Sequence, residues 1–218
     1  MIDYSIQACV EYNECKGLIY YLQNFLQDGD KIVVTLDESN TTQEMIDMVK
    51  EAGIEPNLHP LTTFAEITKY IRSQCHNPYF LGLCADEVPT VPLLKMCRTI
   101  FQQNPEIDAV GIPRINFYSN LTKDKARNMY VGPRDQDFLI TEPKNEYGWH
   151  VWPDYQPRFT RNNFEVDYIT YGEGVHSGYG GFKNVGYLPA NPQFALLHVK
   201  SIEKQERMLR LYDKMEKG

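Results

Sequence analysis

The chain has 218 residues, 42% hydrophobic and 23% charged, with a formal net charge of −7. That length is enough for one large domain with its own core, and no apolar run approaches the ~20 residues of a membrane span. The acidic balance argues against a broad phosphate-backbone footprint, so nucleic acid is an unlikely partner, and five cysteines without a CxxC pair read as free thiols, not as a zinc or disulfide framework.

Tyr4 to Val10 alternates loosely and is expected to form a first strand, running into the polar turn Glu11-Tyr-Asn-Glu14. Lys16 to Leu26 carries Leu18, Ile19, Leu22, Phe25 and Leu26 at helical spacing, and Gln27-Asp-Gly-Asp30 stops it. Lys31 to Leu36 is short, β-branched and bounded by turn residues, which marks a strand. Asp37-Glu38-Ser39-Asn40 ends it. Thr41 or Thr42 caps the next helix, whose apolar face is Met45, Ile46, Met48, Val49 and Ala52, and Gly53 closes it. Ile54 to His59 is a weaker strand. Thr62 or Thr63 opens a third helix with Phe64, Ile67 and Ile71 inward.

Tyr79 to Leu83 is a continuous apolar run, as suits a strand covered on both faces. It ends abruptly in Cys84-Ala-Asp-Glu87. Two carboxylates at the carboxyl end of a central strand sit where open α/β sheets place their ligands, and their oxygens suit a hard cation such as Mg²⁺ or Mn²⁺ beside a phosphate-bearing ligand. A solvated acidic turn is the plain alternative. A helix through Phe101 follows, then a strand from Ala109 to Ile112. From Ser119 to Pro192 the chain is rich in Gly, Pro, Asn and Tyr, with short strand-like pieces at 138–141, 158–160 and 168–171, a texture that builds a pocket on a sheet. Ser201 to Lys217 has the pattern of an amphipathic helix.

The alternation of strand and helix over the first half predicts a single mostly parallel central sheet flanked by helices, in one domain. Residues 1–112 form its ligand-binding half, 113–200 the half that completes the pocket, and 201–217 a terminal helix. No GxGxxG follows the first strand and no GxxxxGK[ST] occurs, so the ordinary dinucleotide and P-loop readings lose their main support.

The order of these motifs resembles the family 2 nucleotide-sugar glycosyltransferases of the GT-A fold, and more narrowly the bacterial lipopolysaccharide-core type. The matching pieces are Tyr12-Asn13-Glu14, Asp30 to Asn40, Phe80 to Glu87, Trp152-Pro-Asp-Tyr-Gln-Pro-Arg-Phe-Thr-Arg161, Val175-His176 and Leu196-Leu-His198. The resemblance spans nearly the whole chain, about Asp3 to Met215. It implies transfer of a sugar from a nucleoside-diphosphate-sugar donor to an acceptor hydroxyl on a glycan, a lipid-linked sugar or another molecule, with inversion and with Mn²⁺ or Mg²⁺ as cofactor. It departs at two points. Cys84 stands where the family's metal motif begins with aspartate, and Ser177 follows His176 where glutamate is usual.

The resemblance places Asn13, Glu14, Asp37, Cys84, Ala85, Asp86 and Arg158 around the donor. Asp37 would meet the base, unless it is a helix-capping acid. Asp86 and His198 would hold the metal, Glu87 either helping or bracing the loop, although a lone histidine in an apolar stretch is commonly a core residue. Arg158 or Arg161 would reach the diphosphate. Asp154 is the candidate general base on the acceptor, with Glu173 and Asp167 as alternatives. Trp152 and His176 would face the acceptor, with Trp149, Tyr155, Tyr179 and Tyr187 as further sugar-stacking candidates. With no leader-like pattern at Met1-Ile2-Asp3-Tyr4, a reducing cytoplasmic setting is expected, the terminal helix being able to dock peripherally on a membrane. Two other readings stay open: a degenerate transferase kept as a binding or assembly module, for which Cys84 speaks, and a nucleotidyltransferase, against which the 10–17 turn with its single Lys and single Gly speaks.

Overall fold

The computed structural model describes residues 1–61, 64–119, 149–162, 167–170, 177–201 and 203–204. Glu173, His176, the 138–141 strand, the Thr62 or Thr63 cap and the terminal helix beyond Lys204 lie outside them.

Strand β1 (Ile2–Ala8) is the middle of the first half. It pairs in parallel with β2 (Lys31–Asp37) on one side and with β4 (Tyr79–Cys84) on the other. Strand β3 (Asn57–His59) extends the β2 edge. Three helices make the crossovers: α1 (Tyr12–Gln23), α2 (Gln43–Glu51) and α3 (Phe64–Ser73). Their buried faces include Leu18, Ile19 and Leu22 on α1 and Met45, Met48 and Val49 on α2, which pack on Ile6, Val34 and Leu36 of the sheet. The Thr42 hydroxyl accepts from the Met45 N–H and so fixes the start of α2. Gly53, at φ +79°, closes it in a conformation that a side chain would strain.

Helix α1 begins earlier than its apolar spacing predicts. Tyr12 to Glu14, expected in a turn, form its first helical residues. Two departures follow the acidic strand end. Glu87–Pro89 forms a short strand, β5, where the sequence predicts an acidic strand end running into a helix. The helix expected through Phe101 is broken at Arg98 and Thr99 into α4 (Val91–Cys97) and α5 (Ile100–Gln103).

The second half completes the same sheet. Strand β6 (Ala109–Ser119) is far longer than the expected 109–112, and β7 (His150–Arg161) lies antiparallel between β4 and β6. Strand β8 (Asp167–Thr170) pairs with β9 (Ser177–Gly180) in a separate hairpin, and β10 (Val185–Tyr187) pairs with the start of β6. Strand β11 (Leu196–Ser201) runs parallel to the end of β6 and carries β5 antiparallel on its outer side. The nine-stranded sheet has the order β3-β2-β1-β4-β7-β6-β11-β5, with β10 beside β6. All but β5 and β7 run the same way, so the mostly parallel sheet expected from the sequence is present. It buries Tyr4, Phe80 and Phe159 completely. Among the described residues no helix is long and apolar enough to cross a membrane.

Candidate functional site

The chain leaves β1 toward β2 on one side and reaches β4 on the other. The strand order reverses there, and at such a point, outside the carboxyl ends of β1 and β4, open α/β sheets form the crevice that holds their ligands. The turn after β4 is pinned across it. The Ala85 N–H donates to the Gln7 carbonyl at the end of β1 (2.9 Å), and the Asp86 carbonyl accepts from the Val199 N–H of β11 (3.3 Å). Asp86 is thereby held at the crevice mouth, only 8% exposed.

Three basic groups converge on one oxygen of Asp86. Lys204 Nζ stands 3.3 Å from Oδ2, Lys200 Nζ 3.5 Å and His198 Nε2 3.6 Å. Burial alone would raise the Asp86 pKa; the charges of Lys200 and Lys204 overcome that and hold the carboxyl well below its usual range. Lys204 is shared with the β1–α1 turn. Its Nζ lies 3.6 Å from Glu11 Oε1 and 3.4 Å from Glu14 Oε1. Glu11 is itself fixed, its Oε2 accepting from the Cys9 and Val10 N–H groups at 2.7 and 3.0 Å. Asn13 is exposed on the first turn of α1.

His198 is set by a chain of side chains. Its Nδ1 lies 2.7 Å from Asn116 Oδ1, and Asn116 Nδ2 donates to Asp154 Oδ2 (3.0 Å). An amide that donates with its nitrogen presents its oxygen to the ring, so Nδ1 carries the proton and Nε2 turns a lone pair toward Asp86. Burial keeps His198 neutral by lowering its pKa.

Glu87, the second acid, faces the other way. It is fully buried, and its carboxylate accepts from the Cys84 N–H (3.0 Å), Arg114 Nη1 (2.9 Å) and Arg158 Nη2 (2.8 Å). Burial raises its pKa, but the two guanidiniums outweigh that and bring it to about 2. Glu87 braces the loop. Arg114 passes on to Asp154, donating through Nε (2.8 Å) and Nη2 (2.5 Å), while Gln156 Nε2 donates to the other Asp154 oxygen (2.8 Å). Against the cost of burial, Arg114 holds the Asp154 pKa below its usual value. A carboxylate so engaged is a poor proton acceptor. Asp154, the expected general base, is here engaged by Arg114 and, through Asn116, linked to His198.

Cys84 lies under Arg158, whose Nη2 is 3.6 Å from Sγ. Burial and the neighbouring Glu87 push its pKa up to about 12, so it stays a thiol. A protonated sulfur is no ligand for a hard cation. Asp37 is buried too, with Oδ1 accepting from the Ser39 N–H (3.1 Å) and the Leu61 N–H (3.0 Å), and Oδ2 from Asn40 Nδ2 (2.5 Å). Its carboxylate shapes the loop from β2 to α2. Arg161 is not in the site. It pairs across from Tyr79 at the opposite end of β4 and donates to the carbonyls of Phe101, Asn104, Pro105 and Ile107. Trp152, near the start of β7, packs edge-on against Trp149 (5.1 Å between ring centres), which meets Phe117 in the same way at 6.4 Å. Asp167 opens β8. Sequence reasoning missed Glu11, Arg114, Asn116, Lys200 and Lys204; the two lysines at positions two and six after His198 were the one visible signal.

Among the solved structures, this chain is similar to TarS of S. aureus. One TarS structure matches with a TM-score of 0.56 at 11% identity over 97% of this chain. A 1–349 fragment matches with 0.57 at 12% identity over 98%, and its UDP complex with 0.57 at 11% over 98%. The fold is GT-A. The chain spans only 38% of the first of these chains and 64% of the 1–349 chain, and at such identity the likeness concerns the fold alone. It bears out the GT-A part of the resemblance and carries nothing of the lipopolysaccharide-core type. No protein-family model and no curated protein matches the sequence.

GT-A folds commonly bind a divalent cation at this strand end, and the residues present fit one. Asp86 offers a carboxylate oxygen and His198 an oriented imidazole lone pair, 3.6 Å apart. The Asn116 contact on the far ring nitrogen is the usual support of a metal-ligating histidine. Among the described residues no three His, Cys, Asp or Glu side chains gather as a closed protein cage. An open pair completed by phosphate oxygens and water is how Mg²⁺ is ordinarily held.

Proposed function

We propose that this GT-A domain transfers a sugar from a nucleoside-diphosphate-sugar donor to an acceptor hydroxyl, with inversion. The observation that carries the reading is the relay Asp154–Asn116–His198–Asp86 at the crevice between β1 and β4, ringed by Lys200 and Lys204. One TarS structure is a complex with UDP-GlcNAc and another a complex with UDP, which supports a nucleotide-sugar donor here.

Asp86 and His198 would hold Mn²⁺ or Mg²⁺, and the ion would supply positive charge for a leaving nucleoside diphosphate. Lys200 and Lys204 reach the same phosphates from the β11 side, and the Glu87–Arg114–Arg158 cluster keeps the floor of the site rigid. Asp154 positions. Trp149 and Trp152 offer ring faces to an acceptor sugar. Glu173 remains a candidate for the base.

The test is binding of a nucleotide-sugar panel, with and without Mn²⁺, to the wild type and to Asp86→Ala. The expected outcome is micromolar binding of at least one donor and, in the variant, a loss of donor hydrolysis of about 100-fold. No binding of any donor, or hydrolysis untouched by Asp86→Ala, sinks the reading.

A further inference from the structure

Lys204 Nζ stands among three carboxylates, at 3.3 Å from Asp86, 3.4 Å from Glu14 and 3.6 Å from Glu11. Glu11 ends the β1–α1 turn, Glu14 lies in the first turn of α1 and Asp86 on the turn after β4, so one ammonium neutralises acids brought by three places in the chain. Lys200 approaches the same Asp86 oxygen at 3.5 Å. Two ammonium groups and a dication cannot share that oxygen at these distances, because like charges a few ångströms apart repel by about 4 kcal/mol per unit-charge pair even at an effective dielectric near 20.

The lysines have somewhere else to go. Glu11 and Glu14 can keep Lys204 when Asp86 is taken from it, and a diphosphate arriving at the crevice offers both lysines a stronger anion. The acids Asp86, Glu11 and Glu14 outnumber the two lysines by one, so the cluster remains receptive to further positive charge. With the lysines drawn onto phosphate, Asp86 and the His198 lone pair face open space.

We infer that Lys204 and Lys200 hold the cation's place at Asp86 in the nucleotide-free protein, and that handing them to the diphosphate is what frees Asp86 for Mn²⁺ or Mg²⁺. The site is then a counter-ion exchange. Metal binds weakly alone and tightly with nucleotide, and the coupling is reciprocal. This rests on the nucleotide-sugar reading for its second ligand, while its first half concerns the cation alone.

The experiment measures free Mn²⁺ by electron paramagnetic resonance during titration of the nucleotide-free protein, then repeats the titration with UDP, GDP, CDP and ADP. For the wild type, at least one nucleotide is expected to tighten Mn²⁺ binding 100-fold or more. Lys204→Met and Lys200→Met should each tighten nucleotide-free Mn²⁺ binding about 10-fold and shrink the coupling by a similar factor. Lys204→Arg, which keeps the charge at Asp86, should keep nucleotide-free Mn²⁺ binding weak where Lys204→Met tightens it, and each variant's melting temperature controls for folding. Unchanged or weaker Mn²⁺ binding in both Met variants, with folding intact, overturns the inference and leaves the transferase reading standing. Tighter Mn²⁺ binding in those variants, with no nucleotide effect on any protein, upholds the lysines as place-holders and overturns the diphosphate hand-over with the donor reading.

Discussion

The buried acids of the first four strands and those around the turn after β4 are satisfied in different ways. Asp3 accepts from the His76 and Asn77 N–H groups at 2.6 and 2.7 Å, and Asp37 from those of Ser39 and Leu61. Asp86, Glu87 and Asp154 instead face lysine and arginine side chains. A backbone N–H cannot leave its acid without unfolding a loop. A side-chain cation can turn to another anion at the cost of a rotamer. The first region is latched, and the second holds charge that an incoming phosphate can redirect. Within the second region Glu87 is the exception, fully buried and bound from both sides, and its removal is the severest way to test the contrast.

Glu87→Gln keeps the shape and deletes the charge, leaving Arg114 and Arg158 buried against each other. Breaking a buried pair of this kind costs about 3–5 kcal/mol, read as a lower midpoint in urea unfolding at pH 7. The sign of the pH dependence follows from the depressed pKa. The unfolded carboxyl titrates near 4.5 and the folded one near 2, so the Glu87 contribution is complete above 4.5 and disappears as the pH falls to about 2. The stability gap between wild type and Glu87→Gln should narrow across that window. A gap that stays constant from pH 7 to pH 2 would show that Glu87 is not the charged brace of the site.

Asp37→Ala tests the latched region. It strands the Ser39 and Leu61 N–H groups and the Asn40 amide at the start of the α2 crossover. Leaving such donors unpaired costs about 2 kcal/mol. Hydrogen exchange should speed up in residues 37–42 and 57–61 while the β6–β11 pairing is unchanged. If exchange rises equally around Asp86, the two regions are one cooperative unit and the contrast fails.

The first region was also the more legible in the sequence. Its helices carry 3.6-residue periodicity, its strands are short and bounded, and β1, β2 and β3 are neighbours both in sequence and in space, so alternation alone predicts their parallel pairing, while the return of β4 to the far side of β1 is not written in it. Asp37 and Asp86 were visible because they end apolar strands. The second region depends on pairings that no local pattern announces. Strand β5 exists only because β11 lies beside it, more than a hundred residues later in the chain. Asn116 gains its role from His198 on the facing strand, and Arg114 from Asp154 on β7. Local spacing shows which residues can be acids and bases. It does not show which of them spend their charge on one another, as Asp154 does with Arg114.

Arg158 and Arg161 carry the contrast onto a single strand. Both sit on β7 and the sequence offers either as the diphosphate ligand, yet Arg158 pairs with Glu87 in the site while Arg161 donates to four carbonyls and covers the Phe101 ring at 4.7 Å. Lysine reproduces the charge of either and the planar fork of neither. Arg161→Lys should therefore lose about 1–2 kcal/mol of stability, from several neutral acceptors that one ammonium cannot span, and leave nucleotide binding within twofold of wild type. Arg158→Lys should weaken nucleotide binding by more than its effect on the melting temperature explains. Equal nucleotide defects in the two variants would mean that the floor of the site extends through the sheet to its far end, and that latched and exchangeable acids are not separate regions.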